Sequence, residues 1–190
     1  LMKNKKRLCR HLHIPLQHGS DNILKKMNRR YTSQEYKNLI EKIASEIPEI
    51  CLGTDIMTGF PGEGEQEFEE MYKNFHEMPV VHYHVFRYSP RPGTRAYDFS
   101  DQVHSKTAKE RAKRLRKLGK SKKEKFVSHY NGQKVEVLAE QIDENNILTG
   151  YTDNFIRVKF EGKQEDVNTI KTIAIKERNG EQLAGEKTGE

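Results

Sequence analysis

Leu52-Gly53-Thr54-Asp55-Ile56-Met57-Thr58-Gly59-Phe60-Pro61-Gly62-Glu63 is the stretch that decides the architecture. Leu52 to Thr58 reads as a strand, and Gly59, Pro61 and Gly62 end it. Phe68, Met71, Tyr72, Phe75 and Met78 follow at helical spacing, behind the acidic run Glu63, Glu65, Glu67, Glu69 and Glu70. A strand, a glycine-rich loop and an amphipathic helix in that order form one unit of a parallel α/β fold.

The same order recurs on both sides. Upstream, a strand around His13-Ile14-Pro15-Leu16 is followed by a turn at Gly19-Ser20 and a helix carrying Ile23, Leu24 and Met27. A second helix opens at the capping box Thr32-Ser33-Gln34-Glu35, runs through Tyr36, Leu39, Ile40, Ile43 and Ile47, and stops at Pro48. Downstream, a strand over about 81–88 ends in Ser89-Pro90-Arg91-Pro92-Gly93-Thr94, and a strongly basic helix comes next. Three strands cannot close a barrel that takes about eight. The expectation is a partial, half TIM-like barrel, with functional residues in the loops at the carboxyl ends of its strands.

From about Gly132 the period changes to two. Short strands are expected at Val135–Ala139, Ile147–Tyr151, Ile156–Phe160 and Ile173–Ile175, with a last one near Gln182–Gly185. Five such strands predict a small antiparallel β-barrel. The expected division is therefore 1–126 for the α/β part and 127–190 for the barrel.

Charge narrows the partners. Lys and Arg total 34 against 28 Asp and Glu, but His104–Lys125 alone holds eleven basic residues and two glutamates. Asn131–Glu190 is net acidic, with eight basic and twelve acidic residues. A polyanion partner is thus predicted for one helix, through Lys113, Arg116, Lys117 and Lys120. Arg87, Arg91 and Arg95 flank the proline-rich loop, where arginines meet phosphates or stack on bases. Arg157 and Lys159 alternate outward beside Tyr151 and Phe155, which predicts a platform for single-stranded RNA. No apolar run approaches the roughly 20 residues that span a bilayer, and the expectation is a cytoplasmic protein with no membrane partner.

The loop Gly59–Gly64 resembles a phosphate cradle, yet its glutamates repel phosphate. A cationic ligand, or close backbone approach at the glycines, suits it better. His11, His13 and His18 supply no convincing metal set, so no metal ligand is assigned. Cys9 and Cys51 exclude a disulfide framework or a CxxC knuckle.

His13–Asp21, Gly53–Glu63 and Val85–Thr94, in that order, resemble three motifs of the radical-SAM methylthiotransferases. The similarity is greatest to the subgroup that methylthiolates threonylcarbamoyladenosine in tRNA, on the strength of Gly53-Thr54-Asp55 and the Ser-Pro-Arg-Pro-Gly-Thr loop. The tail from near Val127 resembles the RNA-binding TRAM domain of that family. The chain departs from the family at His18 (usually serine), Gly64 (usually threonine) and Arg87 (usually proline). The family's CxxxCxxC motif is absent, and two separated cysteines do not replace it. The resemblance therefore implies the carboxyl-terminal half of an enzyme, inactive alone.

By that resemblance the cofactors are S-adenosylmethionine and 4Fe–4S clusters whose ligands lie outside this chain. Gln17, Ser20, Asp55, Gly59 and Glu63 would line the S-adenosylmethionine pocket, and the anticodon arm of tRNA would be the partner. No catalytic acid or base is assigned. The competing expectations are a non-catalytic RNA-binding module, a methylthiotransferase acting on another adenosine derivative or a ribosomal protein, and a small-molecule metalloenzyme using the histidines.

Overall fold

The computed structural model describes residues 2 and 8–188. They divide into two compact units. One comprises Leu12–Pro48 and Leu52–Lys120, and the other is the rest of the described chain.

The first unit is built on a three-stranded sheet in the order β1 (His11–His13), β2 (Cys51–Thr58), β3 (His82–Arg87), of which only the first residues of β1 and β2, His11 and Cys51, are counted with the other unit. Strands β2 and β3 run parallel, with Asp55 opposite His84 and Met57 opposite Phe86. Strand β1 ends earlier than the expected His13–Leu16 segment: Ile14 N–H still donates to the Gly53 carbonyl, but Leu16 N–H goes to Thr54 Oγ1 in place of a β2 carbonyl. The chain nonetheless stays beside β2: Gln17 donates its N–H to the Asp55 carbonyl and accepts from Met57 N–H in a parallel bridge.

Helices follow each strand. Helix α1 (Asp21–Lys26) buries Ile23 and Leu24. Helix α2 (Ser33–Glu46) carries the expected capping box, in which Thr32 Oγ1 accepts from Glu35 N–H and Glu35 Oε2 accepts from Thr32 N–H. Helix α3 (Glu65–Glu77) buries Phe68, Met71 and Phe75. One face of β2, made of Leu52, Thr54, Ile56 and Thr58, is buried. The other carries Gly53, Asp55 and Met57 beside His82, His84 and Phe86 of β3, of which His82 and His84 are exposed. The sheet thus has one packed face and one polar face. The long helix α4 (Ser105–Ser128) contributes to this unit up to Lys120 and buries Ala112 and Leu115 in it.

The second unit is a closed barrel of β4 (Lys134–Ile142), β5 (Ile147–Tyr151), β6 (Arg157–Glu161), β7 (Ile170–Asn179) and β8 (Gln182–Lys187), in the order β4-β5-β6-β8-β7. Its core includes Val137, Leu148, Val158, Phe160, Ile173 and Leu183. The expectation of a wholly antiparallel barrel is corrected at one seam: β6 and β8 pair parallel. A ring with an odd number of strands cannot alternate direction all the way round, so one pairing must be parallel. Gly150 and Gly185 sit in strand interiors where a Cβ would lie 2.2 Å from the Leu138 carbonyl oxygen and 2.3 Å from that of Ala174. Only glycine lets the strands approach so closely at those corners.

Candidate functional site

The loops that leave β1 and β2 meet at a buried network. Glu63 has a fully buried side chain, and Gly59 N–H donates to its Oε2 at 3.0 Å. His18, also fully buried, places Nε2 3.1 Å from the same oxygen. Because His18 Nδ1 accepts from Ser20 N–H at 3.0 Å, the hydrogen bonds assign the proton to Nε2, which donates to Glu63. Arg111 of α4 donates to Glu63 Oε1 at 2.9 Å and to the Glu63 carbonyl at 2.7 Å. Two loops and a helix are thereby tied to one carboxylate.

The acidic start of α3 faces the same helix. Arg111 also reaches Glu65 at 2.9 Å, Arg114 reaches Glu69 at 2.6 Å, and both guanidinium groups lie over the Phe68 ring. The glutamates expected to favour a cationic ligand thus have cations of the chain itself. Gly59, with φ 76°, lies so near α4 that a Cβ would come within 2.5 Å of the Ala108 Cβ. Its close approach is to a helix.

On the polar sheet face, Asp55 Oδ1 is 2.8 Å from His84 Nδ1 and 3.1 Å from His13 Nε2. Desolvation pushes the Asp55 pKa up, but the hydrogen bonds to His84 and His13 and their charges outweigh it, and the net shift is downward. The carboxylate is held ionised. Among the described residues, no three His, Cys, Asp or Glu side chains are grouped to hold a metal ion.

A cleft of about 520 Å³ opens beside Gln17, at the carboxyl ends of these strands. Its apolar walls are Met27, Met57, Phe60 and Phe99, and Lys25, Lys26, Arg29 and Arg95 line it as cations. Lys26 is paired with Asp101, whereas Lys25, Arg29 and Arg95 have no acidic partner among the described residues. Gln17 holds a left-handed φ of 77° there, fixed by its two backbone bonds to β2. Such strain in a residue other than glycine is concentrated at functional sites.

The five residues expected around S-adenosylmethionine are therefore near one another but differently disposed. Gln17 lines the cleft and Asp55 stands on the polar face. Ser20 is buried with no hydrogen-bond partner for its Oγ, while Gly59 and Glu63 belong to the buried network. Sequence reading missed His18 and Arg111 as the network's other members. Their signal was weak, since a histidine among histidines and an arginine in a basic helix look like surface.

The basic residues also sort themselves. Arg95 lines the cleft, and Arg87 and Arg116 line a second cavity of about 510 Å³ with Tyr88 and Ser105. Arg91 is exposed in its loop. On α4, Arg111 and Arg114 are committed to glutamates, Lys123 is buried, and burial with the nearby Lys125 charge brings Lys122 down to about 8. Lys113, Arg116, Lys117 and Lys120 stay exposed. In the barrel, β6 alternates as expected: Arg157 and Lys159 are exposed while Val158 and Phe160 are buried.

Residues 1–75 match the Radical SAM superfamily. Over 188 residues the chain is 36% identical to a tRNA-2-methylthio-N(6)-dimethylallyladenosine synthase of Lachnoclostridium phytofermentans, covering 98% of this chain and 41% of the relative. It is 39% identical over 185 residues to the same kind of synthase from Geobacillus kaustophilus, covering 96% of this chain and 35% of the relative. A threonylcarbamoyladenosine tRNA methylthiotransferase of Bacillus subtilis is 35% identical over 173 residues, with coverage of 89% and 38%. The chain thus spans about two fifths of the length of these relatives. No helix among the described residues is long and apolar enough to cross a membrane.

Proposed function

Since the chain belongs to the radical-SAM methylthiotransferase family, we propose that it is the carboxyl-terminal part of a cytoplasmic enzyme that adds a methylthio group to threonylcarbamoyladenosine in the anticodon arm of tRNA. The three-stranded sheet supplies half of a TIM-like barrel, and the closed barrel is an RNA-binding TRAM-like module over 127–190. The observation that supports the anionic substrate is the cleft beside Gln17, which Lys25, Arg29 and Arg95 line together with apolar walls. A threonylcarbamoyl group ends in a carboxylate, which these cations attract. A dimethylallyl group carries no charge for them to meet.

The cofactors divide between this chain and the rest of the protein. S-adenosylmethionine supplies the deoxyadenosyl radical and the methyl group in this chemistry. Met57, Phe60 and Gln17, which line the cleft, would hold its adenosyl part. Asp55 offers an acceptor to a donor group above the sheet, and Ser20, Gly59 and Glu63 hold the two loops in place. A 4Fe–4S cluster does not fit: Cys9 is exposed, and Cys51 is buried against Lys123 at 3.4 Å. Iron–sulfur clusters take several thiolates, so their ligands belong to the remainder of the protein.

The second reading, a dimethylallyladenosine substrate, draws on the names of the relatives from Lachnoclostridium and Geobacillus. The two are separated by supplying the full-length, anaerobically reconstituted protein with tRNA carrying one modification or the other. Methylthiolation of threonylcarbamoyladenosine, lowered in Arg29→Ala and Arg95→Ala variants, is expected. Product only from dimethylallyladenosine would overturn the substrate assignment.

A further inference from the structure

Three rings cluster at one edge of the barrel. His11 stacks on Phe155 with centroids 4.8 Å apart and planes 19° apart, and Tyr151 lies against Phe155 at 5.1 Å and 30°. Phe155 is 52% exposed, the second most exposed large apolar side chain after Ile170 among the described residues. It also holds a φ of 63°, a conformation that is costly for a bulky side chain. A fold seeking only stability would place glycine or asparagine at this corner.

The corner is nevertheless built rigidly. Asn154, 1% exposed, donates to the Glu49 carbonyl at 2.9 Å and to Tyr130 Oη at 2.6 Å. Thr152 closes the turn, since its N–H donates to the Ile156 carbonyl and its Oγ1 accepts from Ile156 N–H. Arg10 grips Asp153 through two nitrogens at 2.6 and 2.9 Å and reaches Glu49 at 2.8 Å. The acid beside the ring is thereby neutralised. Next to the stack, Arg157 pairs directly with Tyr151 across the strands, and Lys159 projects from the same face.

We infer that His11, Tyr151 and Phe155 form a stacking platform for one unpaired nucleobase of an RNA strand, with Arg157 and Lys159 holding the flanking phosphates. The inference rests on the RNA-binding reading of the barrel and adds a base subsite to it. Aromatic faces with adjacent cations are the combination that captures single strands with little sequence preference. An apolar protein partner would have no use for the two cations.

The test measures binding of the chain to single-stranded oligoadenylate and to an abasic ribose-phosphate strand of equal length, by fluorescence anisotropy. Phe155→Gly removes the ring and suits the left-handed backbone. Its affinity for oligoadenylate should fall roughly 5- to 150-fold, as expected for the loss of one base stack. Affinity for the abasic strand and the salt slope should stay unchanged, because Arg157 and Lys159 still meet the phosphates. Tyr151→Leu should act in the same direction.

Equal binding of oligoadenylate by Phe155→Gly and the parent would overturn the inference. So would equal losses on both strands, or self-association of the parent that Phe155→Gly abolishes. Methylthiolation by the full-length protein is scored separately. A platform that fails while threonylcarbamoyladenosine is still modified refutes only the inference. A platform that holds while that base is not a substrate refutes only the proposed activity.

Discussion

Removing Arg111 should unlock the two loops, and the structure sets the size of the effect. The Arg111 side chain is 8% exposed and that of Glu63 is fully buried, so neither charge is screened by water. Breaking such a pair by deleting one partner costs about 3–5 kcal/mol. Arg111→Met leaves the Glu63 carboxylate with the Gly59 N–H and His18 donors, so the loss should sit near the lower end, about 3 kcal/mol. Glu63→Leu strands those two donors as well as the guanidinium. Each buried unsatisfied donor adds about 1–3 kcal/mol, offset here because Arg111 retains Glu65 and the Glu63 carbonyl. The expected loss is about 4–6 kcal/mol, a large share of the roughly 5–15 kcal/mol that holds a domain folded. Urea unfolding followed by far-ultraviolet circular dichroism measures both, together with the double variant. The double should cost at least about 2 kcal/mol less than the two single losses combined, because the second substitution removes a charge already stranded. A loss under about 1 kcal/mol for Arg111→Met, or simple additivity, would refute the claim that this network locks the loops.

Two further predictions concern charge. Asp166 is held well below the usual carboxylate range by the Lys171 ammonium and the Lys163 backbone N–H, with Lys187 adding to them against an opposing desolvation. A depressed folded pKa gives stability that is present above the unfolded value of about 3.9 and is lost as pH falls through the folded one. Asp166→Asn should therefore be less stable than the parent at neutral pH in thermal melts, with the difference shrinking below about pH 4; a gap that widens on acidification refutes the assignment. For α4, reversing Lys113, Arg116, Lys117 and Lys120 to glutamate in the full-length protein should flatten the slope of log affinity for tRNA against log salt by about 3, at roughly 0.7 to 0.9 for each phosphate no longer neutralised. An unchanged slope and affinity in filter binding would make that helix face merely solvated.

Local chemistry wrote much of this protein plainly. The capping box at Thr32 fixed the start of α2, since its two hydrogen bonds involve residues three apart. The change of period near Gly132 marked the barrel, and Ile156–Phe160 announced which side chains of β6 face inward. Each of these signals lies within a few residues, where backbone geometry alone brings the groups together.

What only the tertiary structure decided are the partnerships across long separations. Glu63 read as one of an acidic run suited to a cationic ligand, yet His18, 45 residues before it, and Arg111, 48 residues after it, enclose it. The basic helix read as one charged surface until packing committed Arg111 and Arg114 to α3 and buried Lys123. The parallel β6–β8 seam follows from closing five strands into a ring, a property of the closure and of no single strand. Sequence determines which groups are charged, apolar or permissive of a turn. Whether a charge meets solvent, a ligand or another charge depends on which distant segments the core brings beside it, and that was settled only by the folded chain.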